Sequence, residues 1–180
     1  MTPNQQIEDW IARIALGDRD AFTSLYGATS AKLFSVAVRV LNDRAESEEA
    51  LQEIYLRIWD KAGMYAVNGL SPMTWLITLA RNHAIDRLRK RARVASRMEH
   101  ADLVPDSAPG PAQAAEASLE AVALGRCLEE LPPDRAQAVR GAYLDGASYA
   151  ELAAHFDVPV NTMRTWLRRS LIKLKECLSR

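Results

Sequence analysis

Two cysteines are all that this 180-residue chain contains. Cys127 and Cys177 lie far apart and lack metal-ligand spacing, and each falls on a predicted helix beside apolar residues. They read as two buried thiols, the usual state of cysteine in a reducing compartment, and a cytoplasmic location follows. No unbroken apolar run approaches the length of a membrane span, and the opening MTPNQQIEDW lacks the basic-then-apolar layout of a signal peptide. Membrane insertion and secretion are thereby excluded. A P-loop, an H-E-x-x-H helix and paired cysteines are also missing. His83, His100 and His155 are scattered over separate segments, and each reads as structural or solvated. No catalytic residue, metal ligand or cofactor is expected.

Net charge is absent as well, at zero, but the sum conceals a blocky distribution. Residues 1–60 hold six basic and ten acidic side chains, and residues 61–97 hold eight and one. Residues 98–157 hold three and eleven, and residues 158–180 hold six and one. Two cationic stretches separated by an acidic block suit two separate contacts with a polyanion.

Almost everything that remains reads as helix. Ile7 to Leu16 forms a short one, stopped at Gly17. Asp18 or Asp20 starts a long one, whose inward face is Phe22, Leu25, Tyr26, Thr29, Leu33, Val36, Ala37 and Val40. Asn42-Asp43 ends it, and a third runs from about Ser47 to Lys61 with Leu51, Ile54, Tyr55, Ile58 and Trp59 inward. Its opposite face carries Glu48, Glu49, Gln52, Glu53, Leu56 and Asp60, which suits a protein partner or solvent and would repel DNA. After a loop over 62–72, Ser71-Pro72 opens a fourth helix from Met73 to about Arg93. Leu76, Ile77, Ala80, Ala84 and Leu88 turn inward there, while Trp75, Leu79, Asn82 and Asp86 share a second face. The run from Arg87 to Arg93 holds more cations than the helix dipole accounts for. Residues 95–115, with Pro105, Pro109, Gly110 and Pro111, have linker chemistry. Helices resume near Glu116 with a stripe of Leu124, Cys127, Leu128 and Leu131, and again from Arg135 to Leu144. The fold class is all-α: two small helical domains, 1–94 and 116–180, on a flexible linker.

The last stretch, Ser148 to Leu178, has the layout of a helix-turn-helix. Ser148 and Glu151 form a capping box, and Tyr149, Leu152, Ala153 and Phe156 give the short helix one apolar stripe. Asp157-Val158-Pro159 breaks it, and Asn161 or Thr162 caps a second helix. Met163, Leu167, Leu171, Leu174 and Leu178 point inward, leaving Arg164, Thr165, Arg168, Arg169, Lys173 and Lys175 outside. A major groove admits one helix, and arginine matches both guanine edges and phosphate oxygens. The second helix is therefore a candidate reader of duplex DNA.

Three segments in order resemble the extracytoplasmic-function group of bacterial RNA polymerase sigma factors. Residues 48–59, EEALQEIYLRIW, are similar to the family's acidic Gln-Glu segment, and residues 75–89, WLITLARNHAIDRLR, to its promoter-opening segment. Residues 159–165, PVNTMRT, resemble the start of its recognition helix. The resemblance implies that residues 1–94 bind core RNA polymerase through Glu49, Gln52, Glu53 and Leu56. It also implies that Tyr65, Asn68, Trp75, Asn82, Asp86 and Arg87 receive the melted −10 strand. Asn161, Thr162, Arg164, Thr165, Arg168, Arg169 and Lys173 would read the −35 duplex. Asn161 stands where the family usually has Gly, and Trp166 where it commonly has a basic residue.

Physical chemistry is consistent with such a two-part reader. Base stacking on an aromatic ring contributes roughly 1–3 kcal/mol, and Tyr65 and Trp75 flank the loop. An extended stretch of ~20 residues spans up to ~70 Å, about two turns of B-DNA. The alternative is a stand-alone helix-turn-helix regulator. Such proteins usually dimerise because one module binds weakly, and no dimer stripe follows the recognition helix, so no obligate homo-oligomer is expected. The resemblance further implies an anti-sigma protein as partner. With no metal cluster, cysteine pair or ligand-binding domain expected, the inducing signal is sensed elsewhere.

Overall fold

The computed structural model describes residues 1–97, 111–143, 145 and 147–180, with backbone alone for 111–118. No strand occurs among the described residues. The chain divides into two compact units, Met1–Asp106 and Ser107–Arg180.

The first unit starts one turn earlier than apolar periodicity suggests. Helix α1 spans Pro3–Ile14, opened by Thr2 and Gln5 in a reciprocal capping box with proline at the first helical position. Gly17, at φ +86°, turns the chain into Asp18. The Asp18 carboxylate accepts from the Asp20 and Ala21 amides at 2.9 and 3.0 Å and so caps α2, Arg19–Leu41. Asn42 ends α2 in the left-handed region at φ +51°, and Asp43 at once caps α3, Arg44–Lys61. A 3-10 turn over Ala62–Met64 leads into the loop before α4, Pro72–Arg97. Ser71 Oγ accepts from the Met73 amide at 3.3 Å, as the Ser-Pro pair predicts.

Around these helices lies one core, with Ile11, Leu25, Leu33, Ile54, Ile58, Leu76 and Ala80 fully buried. A polar pair, Thr29 with Tyr55, is buried within it. Thr29 Oγ1 donates to the Leu25 carbonyl at 2.7 Å and meets the Tyr55 hydroxyl at 2.6 Å. Burial pushes the Tyr55 phenol up to about 12. His83 is buried on α4, in register with Leu76 and Ala80, so it is structural and not solvated. Tyr26, expected inward, is 45% exposed.

The second unit holds α5, Pro111–Glu129, α6, Pro133–Tyr143, α7, Tyr149–His155, and α8, Val160–Leu178. Helix α4 runs on to Arg97 and α5 begins at Pro111, so both ends of the expected linker are helical. The rest of that linker, and His100 with it, lies outside the described residues. The Ser148–Glu151 capping box is present as expected, with Ser148 N to Glu151 Oε2 at 2.6 Å. Asp157 adopts φ +52° in the turn. Pro159, not Asn161 or Thr162, occupies the cap position of α8 and makes no side-chain cap bond. Proline's fixed φ sets the entry to the helix instead.

The core of this unit is Leu128, Leu131, Val139, Leu152, Met163, Leu167 and Leu174. Leu178, expected inward, is 51% exposed near the end of α8. Gly141 brings α6 against α7 so closely that an added Cβ would lie 2.7 Å from Leu152 Cδ2.

The cysteines correct the sequence reading. Cys127 on α5 and Cys177 on α8 form a disulfide, with Cα atoms 5.8 Å apart and a sequence separation of 50. Both are on the inner faces of their helices, and the packing of α8 on α5 brings these faces together. A cysteine pair is therefore present, contrary to the expectation of separate thiols. Arg180 donates to Glu130 at 2.7 Å beside it.

Candidate nucleic-acid interface

Helix α8 sorts its residues by side. Met163, Leu167, Ser170 and Leu174 are buried, whereas Asn161, Arg164, Thr165, Arg168, Arg169 and Lys173 are exposed, and Thr162 is half-buried. Asn161 works locally: its Oδ1 accepts from Arg164 Nη1 at 3.2 Å, and its carbonyl accepts from Thr165 Oγ1 at 3.0 Å. Trp166 faces the scaffold. Its ring meets Phe156 edge-on at 6.0 Å, and the Arg135 guanidinium sits 3.1 Å from its centroid. Arg135 is also held by Asp134 at 3.1 Å. The tryptophan thus joins α6, α7 and α8 where a basic residue would extend outward. A rigid helix with four arginines and lysines along one exposed flank can meet phosphates and guanine edges.

In the first unit, Tyr65 and Trp75 are brought together, with ring centroids 5.3 Å apart. Tyr65 donates its hydroxyl to Glu8 at 3.3 Å, and burial with the nearby carboxylate pushes its phenol up to about 12. Asn68 is exposed on the loop, where its Oδ1 accepts from the Leu70 amide at 3.2 Å. Asn82 and Asp86 are exposed one turn apart on α4. Trp75, seven residues before Asn82, is half-buried against the core.

Arg87 is placed elsewhere, against α3. It donates to Glu49 Oε2 at 3.1 Å and Glu53 Oε1 at 3.0 Å, with Glu46 at 3.7 Å. His83 Nε2 lies 2.6 Å from the second oxygen of Glu53, while its Nδ1 is buried without a partner among the described residues. The ring therefore donates through Nε2 and keeps Nδ1 unprotonated. Burial lowers the His83 pKa, and Arg57 and Arg87 lower it further, against Glu53. Burial alone would raise the Glu53 carboxyl, but the bonds from Arg87 and His83 leave it below its ordinary value. No sequence pattern pointed to this cluster, because its members come from different helices. On the outward side of α3, Glu49, Gln52 and Glu53 are exposed, and Leu56 is 65% exposed.

Residues 25–94 match the model of Sigma-70 region 2, and residues 121–174 match that of Sigma-70, region 4. The chain is 33% identical to the ECF RNA polymerase sigma factor SigK of Mycobacterium ulcerans, over 93% of its length and 91% of that protein. The chain belongs to the ECF RNA polymerase sigma factors. As an alternative sigma factor it directs promoter-specific transcription initiation, and the region 2 match leaves a stand-alone regulator without support. SigK of Mycobacterium tuberculosis strain H37Ra is 29% identical, over 97% of this sigma factor and 95% of its own length. Among solved structures, Rhodobacter sphaeroides SigE in complex with the anti-sigma ChrR is 24% identical, with TM-score 0.44 and coverage of 97% and 99%. Bartonella quintana RpoE in complex with the anti-sigma factor NepR is 23% identical, with TM-score 0.42 and coverage of 88% and 96%.

Proposed function

We propose that the three surfaces divide the work of initiation. The acidic face of α3, with Glu49, Gln52, Glu53 and Leu56, docks on core RNA polymerase. The loop residues Tyr65 and Asn68, with Trp75, Asn82 and Asp86 of α4, receive the −10 element as melted strand. Asn161, Thr162, Arg164, Thr165, Arg168, Arg169 and Lys173 of α8 meet the −35 element as duplex. Opening is favoured because unstacked bases find polar side chains and aromatic faces that a duplex cannot reach. The chain itself performs no covalent chemistry; it lends recognition and strand opening to the polymerase.

The observation that carries this reading is the sorting of α8. A buried stripe fixes the helix on its scaffold while Arg164, Arg168, Arg169 and Lys173 stand outside it. An anti-sigma protein is proposed to hold the chain inactive by covering these faces, and the site of action is the cytoplasm, on the ground of the polymerase partner alone, since the Cys127–Cys177 disulfide removes the thiol argument. No helix among the described residues is long and apolar enough to cross a membrane. Transcription in vitro with added core polymerase tests the proposal. The chain should confer start sites that core alone does not use, and Arg168→Ala should weaken use of the −35 element by about 1–3 kcal/mol without loss of core binding. Failure to bind core, or binding without start-site choice, refutes it.

A further inference from the structure

The contact between α3 and α4 gives Arg87 a different task from its neighbours on α4. Glu46, Glu49 and Glu53 follow one another at helical spacing along α3, and His83 and Arg87 stand one turn apart on α4. The guanidinium faces three carboxylates, and its side chain is only 19% exposed. Its charge is more than matched, so little attraction is left for a phosphate. Glu53 is held at both oxygens, Oε1 by Arg87 and Oε2 by His83. Even so, the Glu53 side chain stays 47% exposed and that of Glu49 74% exposed. Two carboxylates are thus fixed from the inner side and open on the outer side.

We infer that Arg87, with His83, is a positioning residue for polymerase docking and not a contact to the −10 strand. The pair holds Glu53 and Glu49 as a preformed acceptor for a cationic side chain of the polymerase. A carboxylate already fixed loses less rotamer freedom on binding, which favours the complex. An isolated, exposed ion pair would contribute little. The value of this one lies in the geometry it imposes on groups that a partner then meets. The inference rests on the proposal that the α3 face docks on the polymerase.

The test measures the affinity of labelled full chain for core polymerase, alongside promoter opening at saturating core and thermal unfolding. Arg87→Gln is expected to weaken core binding about tenfold or more, with opening at saturating core equal to wild type. His83→Gln, whose amide can still donate to Glu53, should keep core affinity within about twofold, and His83→Leu should lose it. In a double-variant cycle, the losses from Arg87→Gln and Glu53→Gln should not add. Wild-type core affinity in Arg87→Gln overturns the inference. Defective opening at saturating core does so too, since it makes Arg87 a strand contact. A fall in unfolding temperature with unchanged affinity reduces the pair to a structural role. Leu56→Arg, outside the charge cluster, separates the two levels of the argument. If it weakens core binding while Arg87→Gln does not, only the positioning role falls. If neither it nor Glu53→Gln has an effect, the docking face itself is wrong.

Discussion

The two units reach stability by different routes. The first buries many large side chains completely, among them Ile11, Ile14, Leu25, Leu33, Leu41, Ile54, Ile58 and Leu76. In the second, Met163 and Leu167 are the large side chains buried to that degree among the described residues. A shorter segment has more surface for its volume and less apolar area to remove from water. It also presents α8, whose outer side is exposed and polar, the side proposed to meet DNA, so much of that helix contributes nothing to the core. The disulfide between α5 and α8 supplies from covalent geometry what packing cannot. A reading surface and a deep core compete for the same residues, and the smaller unit shows that competition most clearly.

Breaking the staple should therefore produce the largest effect, confined to one unit. Closing a loop with a sequence separation of 50 stabilises by about 4 kcal/mol in the chain-entropy account. Cys127→Ser with Cys177→Ser should lower the stability of the second unit by that order in denaturant titration under oxidising conditions. Unfolding of the first unit should not move. The reverse experiment cuts into the deeper core. Ile58→Ala removes a fully buried side chain and should cost the first unit about 3 kcal/mol through lost transfer energy and a residual cavity. The second unit should unfold as before. If either change moves both transitions together, the units are energetically coupled and the comparison fails.

What the sequence disclosed follows the range of each interaction. Ser148 with Glu151, and Ser71 with Pro72, act across three residues or fewer, so their caps were legible with no knowledge of the fold. Thr2 with Gln5 carries the same signal, but apolar periodicity starts only at Ile7 and gives no sign of the turn before it. Asn42 and Asp157 were placed correctly as breaks, although their left-handed backbone is a property of the turns they complete. The cap of α8 lies two or three residues before Asn161 or Thr162, expected there because both are better capping types than Pro159. The Cys127–Cys177 pairing depends on how α8 packs on α5, and spacing along the chain contains no such information. Its one trace was that both residues lie on apolar stripes. The tie between Arg87 and the α3 carboxylates is hidden for the same reason: the sequence assigns Arg87 to the −10 strand and Glu49 and Glu53 to a protein partner or solvent, while the pairing joins two different helices. Of the candidate site, the exposed faces of α3 and α8 were therefore readable. The inward turn of Arg87 was not.

The smallest expected effect distinguishes the units by pH. His83 is buried in the first unit with Glu53, Arg57 and Arg87 facing it, and its pKa is lowered from the ordinary value, chiefly by burial. The unfolded chain then binds a proton more readily than the folded one. Stability from this group is complete above the unfolded value of about 6.5 and is lost as pH falls through it, until the lower folded value is passed. The slope cannot exceed about 1.4 kcal/mol per pH unit for one proton. Glu53, whose pKa is also lowered, contributes its loss further down, below the ordinary carboxylate value. The test is denaturant unfolding of the first unit between pH 8 and pH 3, at intervals of about half a unit. Wild type should lose stability across that range, and His83→Gln should flatten the upper part of the curve while leaving the Glu53 region in place. The second unit has in His155 an exposed ring against Phe156. A first unit whose stability is flat down to pH 5 would mean that His83 takes up its proton in place, with Nδ1 finding an acceptor. The clamp on Glu53 would then be an ion pair and not a neutral donor.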